Sequence, residues 1–169
     1  SRVFQRELQS ARLLVRALRS AGGCQRKVGG MRMVKVVICD DEIQIRNGLK
    51  KVVEQADKDF RVVGLAGNGY EAHGQIKKLR PDIVLMDINM PGMDGLEVIG
   101  AFTDTMPDIK YVIVSGHDQY AYVRKAMQLG AYDYLLKPVD REELTSILQV
   151  LGGRRNGQEE VRCATTVRQ

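Results

Sequence analysis

The chain has 169 residues, is 44% hydrophobic and carries a formal net charge of +5. That length supports one domain of ordinary size with a proper core, and no apolar run is long enough to cross a membrane. The positive charge lies at the ends: residues 1–32 carry +7, residues 152–169 carry +2 and residues 33–151 carry −4, so overall basicity is no sign that the central segment binds nucleic acid.

Residues 3–20 place Phe4, Leu8, Ala11, Val15 and Leu18 on one helical face, with most of the arginines elsewhere around it. Glycine pairs at Gly22-Gly23 and Gly29-Gly30 then read as a linker. Such an Arg-rich, acid-poor start resembles a transit peptide or a membrane-surface helix. The simpler reading of residues 1–32 is a basic amphipathic extension that is expression-derived or begins upstream of the native start. Met31 and Met33 stand just before the first regular element.

From there the pattern alternates. Strands are expected at 34–39, 60–66, 83–87, 109–114 and 132–136, and helices at 43–56, 70–80, 96–106, 118–129 and 140–151. The third strand, Ile83-Val84-Leu85-Met86-Asp87, is an apolar run too short for a helix, which suits a strand buried on both faces of a parallel sheet. Five strands alternating with five helices predict a doubly wound α/β fold with helices on both faces. The stretch 152–169 is polar and is expected to be disordered, or the start of a linker.

In an open parallel sheet, ligands bind at the carboxyl ends of the strands. Here those ends carry Asp40 and Asp41, then Asp87, Ser115 and Lys137. Taken singly, each has an ordinary explanation: Asp40 and Asp41 as solvated turn residues, Asp87 or Ser115 as a cap, Lys137 as a surface lysine. Together they form a set. Carboxylates gathered on one rim repel one another unless a cation joins them, and a hard divalent ion such as Mg²⁺ takes carboxylate oxygens. A carboxylate beside a metal, a lysine and a hydroxyl suits formation of an aspartyl-phosphate.

The segments Val-Val-Ile-Cys-Asp-Asp-Glu (36–42), Asp-Ile-Val-Leu-Met-Asp-Ile-Asn-Met-Pro-Gly-Met-Asp-Gly (82–95) and Tyr-Leu-Leu-Lys-Pro-Val-Asp (134–140) resemble the receiver domain of two-component response regulators. The resemblance covers residues 33–151. It implies the flavodoxin-like (βα)5 three-layer sandwich with parallel sheet order 2-1-3-4-5. It also implies that Asp87 is the phosphoacceptor and that Asp40, Asp41, Asp87 and the Asn89 carbonyl hold Mg²⁺, Asp40 largely through water. Lys137 would pair with the phosphoryl group, Ser115 would move to hydrogen-bond it, and Tyr134 would act as an aromatic switch that turns inward. The Lys137-Pro138 peptide would be cis. The partner would be a sensor histidine kinase, and the response a change in the surface formed by the fourth helix, fifth strand and fifth helix, through which relatives commonly form homodimers. The chain would act as a phosphoacceptor rather than a turnover enzyme, in the cytoplasm and away from membranes.

The segments 114–122 and 130–140 are further similar to receivers that precede an AraC-type helix-turn-helix output domain. This implies a transcription-regulating parent whose DNA contacts lie in that further domain. A stand-alone chemotaxis-type receiver is the alternative. An aspartate-nucleophile phosphatase would need a second aspartate two residues after the nucleophile, where this chain has Asn89. Direct DNA binding by the basic tails ranks below both.

Other residues invite simpler readings. Cys24, Cys39 and Cys163 show no metal spacing or paired framework, which suggests a reducing compartment, and Cys39 reads as a small core residue. His73 reads as a packing residue, His117 as a modulator of water access beside Ser115, and Met86, Met90 and Met93 as core and loop filling. The glycines flanking Asn68 read as turn formers.

Overall fold

The computed structural model describes residues 33–116 and 119–152. Expectations for residues 1–32, for His117 and for residues 153–169, Cys24 and Cys163 among them, lie outside the described residues. The elements in chain order are β1 (Val34–Cys39), α1 (Ile43–Ala56), β2 (Phe60–Ala66), α2 (Gly69–Leu79), β3 (Ile83–Asp87), α3 (Gly95–Phe102), β4 (Lys110–Ser115), α4 (Tyr120–Gln128), β5 (Asp133–Leu136) and α5 (Arg141–Leu151). All strand pairs are parallel and the sheet order is β2-β1-β3-β4-β5. The flavodoxin-like topology implied by the resemblance to receiver domains is thus the one observed.

The central strand is β3, and every one of its residues is buried. That explains its unbroken apolar run: side chains on both faces meet helices rather than water. On one face Val36, Ile38, Leu85, Val112 and Leu135 join Leu49 and Val53 of α1 and Leu144, Ile147 and Leu148 of α5. Each fully buried Leu or Ile contributes roughly 1.5–3 kcal/mol of transfer free energy. The opposite face is covered by the other three helices, whose buried residues include Ala72, Ile76, Val98, Ile99, Val123 and Ala126.

Polar side chains define where helices start. Asn68 accepts from the Glu71 amide at the head of α2, and Asp140 from the Glu143 amide at the head of α5. Asp94 and Glu97 form a reciprocal capping box on α3, with bonds of 2.9 Å in each direction. Among the described residues, helix α3 ends at Phe102, four residues before the sequence expectation of 106. There the Thr103 hydroxyl donates back to the Ile99 carbonyl, and Thr103-Asp104-Thr105 with Pro107 beyond favours turns over further helix.

Candidate functional site

The parallel register brings the carboxyl ends of β1, β3, β4 and β5 to one edge. Cys39 pairs with Met86, Asp87 with Val114 and Ser115 with Leu136, so the residues that end each strand lie at nearly one level. The Lys137 amide donates to the Ser115 carbonyl at 2.8 Å, which carries the β4–β5 pairing onto the lysine itself.

Lys137 is the centre of the cluster. Its Nζ lies 2.9 Å from Asp40 Oδ2, 3.2 Å from Asp87 Oδ2 and 4.0 Å from Glu42 Oε1. The contact with Asp87 is a hydrogen bond, whereas that with Asp40 is an ion pair without hydrogen-bonding alignment. Asp40 is 0% exposed and Asp87 3% exposed, while Asp41 is exposed. One carboxylate oxygen from each of Asp40, Asp41 and Asp87 lies within 4.8 Å of the others.

Two of these carboxylates also hold the backbone around them. Asp40 Oδ1 accepts from the Glu42 amide at 2.9 Å, and Asp87 Oδ1 accepts from the Asn89 amide at 3.1 Å. These local Asx-type bonds fix both side chains with an oxygen turned to the shared space. Burial pushes the Asp87 pKa up to about 6, the Asp40 charge adds to the rise, and Lys137 and the Asn89 amide oppose it. Burial disfavours the charge on Lys137, yet its ion pair with Asp40 and its hydrogen bond to Asp87 prevail and raise its pKa.

The donor set fits a hard divalent cation: three carboxylates, all oxygen donors, converge beside a single lysine. Three acidic groups facing one ammonium leave negative charge that a cation would offset. No soft ligand belongs to the group. Cys39 is buried, and burial pushes its thiol pKa far up, which is the state of an inert core thiol.

Ser115 is buried, and its Oγ makes no hydrogen bond. A buried hydroxyl without a partner is uncommon and leaves a donor available for a ligand atom. Tyr134 is 5% exposed, so in this conformation the ring is inside. The Lys137-Pro138 peptide is cis. His73 packs its ring on Phe102 with centroids 4.8 Å apart, and Met86 and Met90 are buried. The sequence reading assigned no role to Arg46, whose Nη1 donates to the Asp40 carbonyl at 2.6 Å.

The pattern of the response regulator receiver domain matches residues 36–149. The chain is 36% identical over 117 residues to the transcriptional regulatory protein YesN of Bacillus subtilis, a match covering 69% of this chain and 32% of YesN. It is 39% identical over 116 residues to the transcriptional regulatory protein HptR of Staphylococcus aureus, covering 69% of this chain and 45% of HptR. The chain thus spans less than half the length of these relatives. Among solved structures, the receiver domain of AraT, a response regulator from Geobacillus stearothermophilus, superposes with a TM-score of 0.68 at 31% identity. That match covers 72% of this chain and 95% of the AraT chain. The chain belongs to the response regulator receiver domain family of two-component systems.

Proposed function

We propose that Asp87 accepts a phosphoryl group from the phosphohistidine of a sensor histidine kinase. The observation that carries this reading is the position of Lys137 Nζ, shared at 2.9 and 3.2 Å between Asp40 and Asp87. An Asp87 carboxylate oxygen attacks phosphorus, the phosphorus–nitrogen bond breaks, and the imidazole leaves with the electron pair. Asp40, Asp41, Asp87 and the Asn89 carbonyl would hold Mg²⁺, which when bound supplies charge neutralisation for the transferring group. Lys137 keeps its positive charge beside the acceptor, where it offsets the added negative charge. The Ser115 hydroxyl donates to a phosphoryl oxygen and so gains the partner it lacks here.

The movement of Ser115 biases the surface made by α4, β5 and α5, on which Tyr120, Tyr122 and Leu129 are exposed large apolar residues. That surface pairs with a second copy, and the change is passed to a DNA-binding output domain in a longer parent protein. Similarity to YesN and HptR, both transcriptional regulatory proteins, supports this parent over a stand-alone receiver. The test is incubation with acetyl phosphate and MgCl₂, followed by intact mass. The wild type gains one phosphoryl group and Asp87→Asn gains none; equal labelling of both would overturn the assignment.

A further inference from the structure

We infer that Arg46 is a positioning residue for the divalent-cation site, acting through the Asp40–Asp41 peptide; this rests on the cation reading above. Its Nη1 donates to the Asp40 carbonyl oxygen at 2.6 Å, a short, charge-assisted bond. That carbonyl belongs to the peptide that leads into Asp41, so holding it fixes the direction in which the Asp41 side chain leaves the backbone. Asp40 is independently held by its amide, which donates to Ala66, by Oδ1, which accepts from Glu42, and by its ion pair with Lys137. Asp41 is exposed and has no comparable anchor among the described hydrogen bonds, yet one of its oxygens lies within 4.8 Å of both neighbours.

Two features show that the guanidinium is placed against local preference. Arg46 is the fourth residue of α1, and no acidic residue occupies that helix's first turn. A cation there opposes the helix dipole, so local stability does not favour it. Gly67, at the end of β2, makes room for it: a Cβ on that glycine would stand 3.0 Å from Arg46 Nη1. The guanidinium therefore sits on the Asp40 carbonyl after β1, close to Gly67 after β2.

Charge and position predict opposite results, which makes the inference testable. Loss of a nearby positive charge alone would tighten cation binding. Loss of an outer partner that orients a ligand typically weakens it by 10- to 100-fold. The experiment is calorimetric titration of the full chain with MgCl₂, using wild type, Arg46→Met, Asp41→Ala and the double variant, with folding checked by circular dichroism. Arg46→Met should weaken Mg²⁺ binding about tenfold. In the Asp41→Ala background the same change should add nothing, because its route is already gone.

Unchanged or tighter binding by Arg46→Met, or an equal further loss in the Asp41→Ala background, overturns the inference. Absence of Mg²⁺ binding by the wild type would instead bring down the cation reading itself, and this inference with it. Should Arg46→Met fail to fold, Arg46→Gln decides: its shorter, neutral side chain likewise forgoes the charge-assisted bond to the Asp40 carbonyl. Weaker binding supports the inference and unaltered binding overturns it.

Discussion

A Cβ placed on Gly95, the first residue of α3, would stand 2.6 Å from the carbonyl oxygen of Asp87. The Gly95 amide also donates to the Ile88 carbonyl at 3.0 Å, so the helix starts directly on the backbone of the acidic site. Gly95→Ala should therefore destabilise the fold by about 1–3 kcal/mol, since backbone must shift to admit the methyl. Gly100, on the same helix, is exposed with nothing within 4 Å. Gly100→Ala should stabilise by about 0.5–1 kcal/mol. Urea denaturation of the two variants checks this, and equal effects would contradict it.

Lys137 offsets two buried carboxylates, and a neutral side chain there leaves them facing each other. Lys137→Met should lower the stability of the metal-free protein by about 2 kcal/mol at neutral pH, less than a fully buried pair because the lysine is partly exposed. The loss should shrink as pH falls, because Asp87 can then take up a proton. Added MgCl₂ should restore much of it by supplying positive charge. Thermal melts with and without the salt test this; a loss insensitive to both pH and MgCl₂ would count against it.

The Asp87 pKa, raised from an ordinary 3.8 to about 6, gives a pH dependence of definite sign. A carboxyl whose folded pKa is raised contributes its stability below its unfolded value and loses it as pH rises through 6. Metal-free Asp87→Asn should thus be more stable than the wild type at pH 7.5, by on the order of 1 kcal/mol. The difference should fade toward pH 4. Mg²⁺ affinity of the wild type should also weaken between pH 7.5 and pH 5.5, as protons compete for that ligand. Melts and titrations across this range measure both.

Ser115 Oγ has no partner to lose in this conformation. Ser115→Ala should change the stability of the unphosphorylated protein by less than about 1 kcal/mol. Its effect should appear after acetyl phosphate treatment, as a smaller shift in the α4–β5–α5 amide resonances. A large stability loss with an unaltered shift would reverse the assignment.

The alternation of apolar strands and amphipathic helices made the five-stranded doubly wound sheet readable, because a buried parallel strand such as Ile83–Asp87 has a composition that other elements rarely share, while the strand order came from the resemblance to receiver domains. The site was readable for a related reason: Asp87 and Ser115 end their strands, Asp40 and Lys137 follow directly on theirs, and topology alone carries strand ends to one edge. Three things were not legible. The early end of α3 turns on Thr103-Asp104-Thr105 ahead of Pro107, where the apolar spacing alone carried the helix on to 106. The irregularity between Val36 and Val37 falls where the register passes from Val62 to Gly64 of β2, a skip that the apolar pattern does not mark. The place of Arg46 depends on a side-chain bond from α1 back to the Asp40 carbonyl, which no periodicity encodes.

The most direct test of the account is the site of modification itself. After treatment with acetyl phosphate and MgCl₂, borohydride reduction converts an aspartyl-phosphate to homoserine, and peptide mass spectrometry locates it. The account predicts homoserine at position 87 alone. Homoserine at another aspartate, with residue 87 unmodified, would contradict it.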